Sequence, residues 1–234
     1  MLRIAVARIA AAPADSGHAG PAWLGDSERR RWMALRSAAR REFAASRVLV
    51  RQLLQEASGI AADLWHLTAD ADSAPVATAP GLRTATIHAS LSHRLGWVAA
   101  AVSDAAVGVD IECERPARSD AHERAALMLS PAELAQWQAL PADELDAALL
   151  TAWTVKEAWF KASPPEAVPW DFSRVVARAC LPGQANARTW AASPLHVALC
   201  CDRPQELAAA ACTGLDDAAA RTSFWRVGPV ASMI

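Results

Sequence analysis

The chain has 234 residues, 53% of them hydrophobic and 21% charged, with a formal net charge of −2. That composition fits a globular protein of one or two domains and gives no global field that would draw it to nucleic acid or to an anionic membrane. Its five cysteines are odd in number and show no C-x-x-C spacing, which argues against a disulfide framework or a zinc site and fits a cytoplasmic protein. Of the 23 basic residues only two are lysine, Lys156 and Lys161, and they stand five positions apart. Arginine serves everywhere else, so a compact ammonium is expected to matter at these two places.

In chain order, Arg3–Arg8 reads as a first strand. Arg8 also interrupts the apolar stretch from Met1 to Ala14, which argues against a secretory leader. No run is long and apolar enough to span a membrane. Glu28–Met33 and Ser37–Ala57 read as helices, the second with Phe43, Val48, Leu49, Leu53 and Leu54 near helical spacing. Arg40, Arg47 and Arg51 fall near one face of it, which suits phosphates, an acidic partner or plain solvation. Asp70–Gly81, rich in Ala, Asp, Ser, Thr and Pro, reads as a loop. Trp97–Val102 and Val107–Glu112 read as strands joined by a turn at Ser103-Asp104, as a hairpin or a closely connected sheet segment. Ser130 before Pro131, with Glu133 after it, forms a capping box at a helix start. A further helix is expected over Ala142–Ala162, stopped by Ser163-Pro164-Pro165. Strands are expected at Phe172–Val176, Leu195–Cys200 and Ser223–Val227. The mixed order of helices and strands points to an α+β or α/β fold.

Three segments carry chemistry. In Gly108-Val109-Asp110-Ile111-Glu112, strand alternation puts both carboxylates on one face. Paired hard oxygens suit Mg²⁺, although for so short a motif taken alone a solvated strand face is the better reading. In the helix Trp153-Thr154-Val155-Lys156-Glu157-Ala158-Trp159-Phe160-Lys161, Thr154, Glu157 and Lys161 share a polar wedge flanked by aromatics. A helix offering an acid and a base into a cleft accounts for this, as does an ordinary i,i+4 ion pair. Ser90-Leu91-Ser92-His93 offers hydroxyls and an imidazole to a phosphate, but taken alone it reads as a polar loop before a strand. Neither a nucleophile elbow nor a P-loop is present, so a serine hydrolase and an ordinary nucleoside triphosphate site are poorly supported. Nucleic-acid binding through the arginine-rich helix would leave the carboxylates unexplained and would show steep salt dependence.

In this order, Ser-Leu-Ser-His, Gly-Val-Asp-Ile-Glu and Trp-Thr-Val-Lys-Glu-Ala-Trp-Phe-Lys resemble the signature blocks of the Sfp-type 4′-phosphopantetheinyl transferases. The resemblance covers Ser90 to Lys161. It implies two similar halves related by a pseudo-two-fold axis, here 1–105 for coenzyme A contacts and 106–234 for metal and catalytic residues. It further implies transfer of phosphopantetheine from coenzyme A to a serine of an apo acyl or peptidyl carrier protein, releasing 3′,5′-adenosine bisphosphate, by a cytoplasmic monomer. By the match, Asp110, Glu112 and Glu157 would hold Mg²⁺; Ser92, His93, Lys156 and Lys161 would contact the coenzyme A phosphates; and Arg41 or Arg47 would hold the 3′-phosphate. Glu157, directly or through water, or else Lys161, would act on the attacking hydroxyl. A relative that binds coenzyme A or carrier without turnover is the alternative. Two positions depart from the family pattern. Ala79, in Thr78-Ala79-Pro80, stands where a basic residue is frequent, and Arg94 stands where serine is frequent, bringing a positive charge near the phosphates.

Overall fold

The computed structural model describes residues 1–9, 20–69, 74–82, 87–114, 120–164, 166, 171–216 and 219–230. The strands are β1 Leu2–Arg8, β2 His66–Leu67, β3 Val76–Thr78, β4 Ile87–Arg94, β5 Trp97–Ser103, β6 Val107–Cys113, β7 Val175–Ala179, β8 Ala187–Ala192, β9 Leu195–Cys201, β10 Cys212–Thr213 and β11 Arg221–Pro229. The helices are α1 Asp26–Ala34, α2 Ser37–Ser58, α3 Ala121–Met128, α4 Pro131–Gln138, α5 Leu145–Ala162 and α6 Pro204–Ala209. The fold is α+β, as the element order suggests.

The strands form two sheets, ordered β10-β1-β5-β4-β3-β2 and β6-β9-β8-β11-β7. Pairing is antiparallel except between β1 and β10. Strand alternation assigns the faces. Ile4, Val6, Ala99 and Ala101 of the first sheet pack against Val109, Ile111, Trp190 and Val197 of the second, so the sheets share one core. On the far side of the first sheet, Val98, Ala100 and Val102 pack under Leu49, Val50, Leu53 and Leu54 of α2. On the far side of the second, Ala198, Cys200 and Val227 pack under Val155, Ala158 and Trp159 of α5. The layers therefore run helix, sheet, sheet, helix, each apolar face covered. The first sheet draws its edge strand β10 from residues 212–213, so the chain crosses between the sheets again after residue 106.

Several expectations change. β5 and β6 do not pair as a hairpin: β5 lies between β1 and β4, and β6 pairs with β9 in the other sheet. Ser90–His93 is part of β4 rather than a loop, because its register with Ala99–Ala101 and Val98 continues the ladder. Of the stretch read as a loop at 70–81, residues 70–73 lie outside the described residues, as do 10–14 and Pro165, while Val76–Thr78 forms β3. Phe172–Arg174 is one 3₁₀ turn leading into β7. The capping box at Ser130 is present: its Oγ accepts from Glu133 N and Glu133 Oε2 accepts from Ser130 N. All five cysteines are free thiols. Among the described residues no helix is long and apolar enough to cross a membrane.

Candidate active site

β6 is an edge strand, and its unpaired side lies against the face of β4. Alternate residues Ser90, Ser92 and Arg94 share that face, and each engages β6. Ser90 Oγ accepts from Val109 N at 3.0 Å, Ser92 Oγ donates to Asp110 Oδ1 at 2.8 Å, and Arg94 Nε stands 2.9 Å from Glu112 Oε2. Side chains thus close a sheet edge that would otherwise expose backbone groups. The carbonyl of Val109 takes Lys161 Nζ at 3.2 Å, so both backbone groups of this residue are bound by the constellation the sequence singled out.

Gly108 sets the distance between β6 and α5. A Cβ there would lie 1.9 Å from Ala158 O and 2.7 Å from Ala162 N. No larger residue fits without moving the helix backbone, so the glycine lets α5 lie directly on the strand. From that position Lys161 reaches Asp110 Oδ1 at 2.7 Å. Glu157 lies one turn earlier and feels the charges of both Asp110 and Glu112. Burial, only partly offset by Lys161, raises its pKa, and the two neighbouring carboxylates raise it further. Glu112 is likewise raised, first by burial and then by Asp110, against the opposing effects of Arg94 and a hydrogen bond from Trp153. Three carboxylates therefore share a half-buried place in which their combined charge is under-compensated.

The carboxylates suit a divalent cation by type. Asp110 Oδ2 is buried without a hydrogen-bond partner, an orphan lone pair that a cation would satisfy. As the side chains stand, no group of three acidic, histidine or cysteine residues among those described is drawn together to hold a metal ion, because Lys161 and Arg94 occupy Asp110 and Glu112. Lys161 and Arg94, two cations of the chain itself, partly neutralise Asp110 and Glu112. From Glu112 an open groove of about 810 Å³ leads between α3 and α5, lined by Arg94, Glu114, Leu127, Leu150 and Trp153 among others.

Residues 106–212 match the model of the 4′-phosphopantetheinyl transferase superfamily. The match takes in two of the three signature blocks, the Gly108–Glu112 strand and the Trp153–Lys161 helix, and begins after Ser90–His93. The chain is also 29% identical over 153 residues to the 4′-phosphopantetheinyl transferase psf-1 of Bacillus pumilus. That alignment covers 65% of this chain and 60% of the relative, so the chain matches well under two thirds of the relative's length.

The remaining residues expected at the superfamily's coenzyme A site divide into two groups. His93 points to the opposite face of β4 from Ser92; it is half exposed and lies 3.3 Å from Glu42 of α2. Arg41, next in sequence to Glu42, is exposed. These two remain open to a ligand. Lys156 and Arg47, expected at the coenzyme A phosphates, face the protein interior instead. Lys156 is fully buried, and its three N–H groups go to Met128 O at 2.7 Å, Glu133 Oε2 at 2.9 Å and Phe172 O at 3.3 Å. Its pKa is lowered, first by burial. Arg47 is buried over the Phe43 ring and donates to Thr68 O at 2.8 Å. Burial pulls its pKa down to about 10.

The arginine face of α2 is therefore internal mortar. Arg51 grips the fully buried Glu28 through two bonds of 2.9 and 2.6 Å, and Arg40 caps the carbonyl of Trp32. Glu28 in turn accepts from Gly25 N at the start of α1. Sequence reasoning saw Glu133 only as a cap. It is also the counter-ion of Lys156 and accepts from Ala177 N at 2.8 Å. The excess of arginine over lysine drew attention to both lysines, but it did not show that one faces the site and the other the core. Trp153 stacks on Phe172 and donates to Glu112, so the aromatics flanking the wedge partly wall the carboxylates.

Proposed function

We propose that this protein transfers the 4′-phosphopantetheine group of coenzyme A to a serine of an apo acyl or peptidyl carrier protein and releases 3′,5′-adenosine bisphosphate. The observation that carries the reading is the gathering of Asp110, Glu112 and Glu157 with Lys161 at the β6–α5 contact, on residues that align with the superfamily. Asp110, Glu112 and Glu157 would hold Mg²⁺, which would supply positive charge to offset the negative charge that builds on the leaving group. The carrier serine oxygen attacks the β-phosphorus, its bond to the bridging oxygen breaks, and the electron pair leaves with the adenosine bisphosphate. The serine proton passes to Glu157, directly or through a water, or else to Lys161. Lys161, partly exposed and fixed on Asp110, faces the phosphates from α5. Ser92 and His93 of β4 and Arg41 of α2 make the nucleotide contacts. Residues 1–105 thus serve mainly coenzyme A and 106–234 the metal and the chemistry, in a cytoplasmic monomer.

A second reading has one observation in its favour: Arg94 already occupies Glu112, as it would in a relative that binds coenzyme A or carrier without turnover. Incubation with coenzyme A, Mg²⁺ and a panel of apo-carriers, read by intact mass, separates the two. Transfer predicts the gain of one phosphopantetheine unit, abolished by EDTA and by Glu157→Gln. Coenzyme A binding without any gain in mass supports the second reading, and absence of coenzyme A binding sinks both.

A further inference from the structure

Arg94 closes β4 just before a tight turn in which Leu95 and Gly96 both have positive φ. It is the third member of the Ser90, Ser92, Arg94 face. The serines are buried and hold β6 by hydrogen bonds, whereas the arginine side chain is 36% exposed and ends at the mouth of the groove. Its carbonyl accepts from the Cys113 thiol at 3.7 Å, which fixes the backbone beneath the side chain. The carboxylates it meets are unequal. Asp110 shares one oxygen with Ser92 and Lys161 and keeps Oδ2 open, whereas Glu112 is gripped by Arg94 and by the Trp153 indole. A divalent ion approaching Glu112 meets a guanidinium in contact with the same group, and like charges at that range repel. Phosphate is the other natural partner of a guanidinium, through paired hydrogen bonds.

We propose that Arg94 is an internal competitor for the divalent cation: it holds Glu112 while the protein is empty and moves to the phosphates when coenzyme A binds, so that metal and coenzyme A bind cooperatively. This rests on the cation site named above, and it concerns a residue that departs from the family pattern. By linkage, whatever coenzyme A adds to metal affinity, metal adds equally to coenzyme A affinity. Arg94 therefore makes the empty site a poor metal binder and the loaded one a good binder.

The test is a Mn²⁺ titration of the whole protein followed by electron paramagnetic resonance, without carrier so that nothing turns over. Coenzyme A chelates metal by itself, so the arm without it decides. Arg94→Ser should bind Mn²⁺ about 5–10-fold more tightly than wild type in that arm, and its coenzyme A enhancement should shrink by a similar factor, within the usual range of coupling. Arg94→Lys, which keeps the charge, should stay close to wild type. Arg94→Gln keeps the length, guards against misfolding of the serine variant, and should behave like it. Mn²⁺ affinity in Arg94→Ser and Arg94→Gln no higher than in wild type, or no Mn²⁺ binding by any of the proteins, overturns the proposal. Failure of wild type to modify any carrier would instead count against the transferase reading, since the titration needs no transfer.

Discussion

Ser92 Oγ and Asp110 Oδ1 stand 2.8 Å apart, yet the two residues belong to different sheets. One hydroxyl thus aligns a carboxylate of the candidate site and locks β4 to β6. Ser90 performs only the second task, accepting from a backbone N–H. Ser90→Ala should cost about 1–3 kcal/mol, because it leaves the buried Val109 N–H without its partner, and Ser92→Ala about 1 kcal/mol, because Asp110 Oδ1 keeps Lys161. Only Ser92→Ala should also weaken Mn²⁺ binding. Urea unfolding paired with Mn²⁺ titration checks this; equal metal affinity in the two variants would show that Ser92 does not orient Asp110.

Gly108 concerns the other side of the same strand. Any Cβ would press on the Ala158 carbonyl, a backbone atom that cannot turn aside. Gly108→Ala should therefore cost at least the ~1–3 kcal/mol usual for overpacking. The strain is relieved only by lifting α5, which carries Glu157 and Lys161 away from Asp110, so any folded fraction should lose transfer activity. A variant as stable and active as wild type would mean that the strand and helix are not in contact at that point.

The two lysines should separate cleanly. Lys156→Ala strands Glu133 in the interior and should cost about 3–5 kcal/mol, as loss of one partner of a buried pair does. Lys156→Met combined with Glu133→Gln should recover part of that loss by removing both charges. Lys161→Ala should change stability less, since its side chain is 31% exposed, and should lower transfer at least tenfold through kcat/KM. Thermal unfolding and steady-state kinetics on the same preparations decide the matter. A stable, folded Lys156→Ala protein with raised KM for coenzyme A would return that lysine to the ligand.

The contrast between these lysines marks how far the sequence could be read. Strand alternation put Asp110 and Glu112 on one face, and helical spacing put Glu157 with Lys161; both are local geometry and both hold in the fold. The Ser130 cap is equally local. The partner of β5, by contrast, is set by which distant strand covers its ladder, so the apparent hairpin with β6 was illusory. Lys156 and Arg47 have the same cause: a cation looks alike in sequence whether solvent, a ligand or a buried carboxylate receives it. Glu28, 23 residues before Arg51, gave no sign of being its partner. Ser90, Ser92 and Arg94 did carry a period-two signal, but it means a strand face only once β4 is known to be a strand.

The raised pKa values of Glu112 and Glu157 fix a pH dependence. A carboxyl whose folded pKa lies above its unfolded one favours folding when protonated. Its stabilising contribution is present below the unfolded value and is lost as pH rises through the folded value. The metal-free protein should thus lose stability as pH rises to neutrality in part through these groups, and Glu157→Gln should be more stable than wild type at pH 7. Metal affinity should run the opposite way, falling as pH drops through the raised values, because only the ionised carboxylates bind. Unfolding midpoints at several pH values, with and without Mn²⁺, test both. Destabilisation by Glu157→Gln at neutral pH without metal would show that Lys161 outweighs burial and the two neighbouring charges.

The arginines of α2 supply a final contrast, because one helix carries both structural and exposed members. Arg51 and Glu28 form a two-bond pair inside the protein, with Arg47 4.0 Å from the same carboxylate and Trp23 beneath the Arg51 guanidinium. Removing Arg51 leaves a fully buried carboxylate without its main partner, so Arg51→Ala should cost about 3–5 kcal/mol and loosen α1 from α2. Arg47→Ala should cost less, roughly 1–3 kcal/mol, since it strands the Thr68 carbonyl and removes packing over Phe43. Arg41 is exposed, and Arg41→Ala should leave stability within about 0.5 kcal/mol of wild type. If Arg41 holds the 3′-phosphate, its loss should raise KM for coenzyme A while leaving KM for dephospho-coenzyme A, which lacks that group, unchanged. Equal KM changes for the two substrates would remove Arg41 from the nucleotide site and leave His93, on β4, as the remaining candidate for that phosphate.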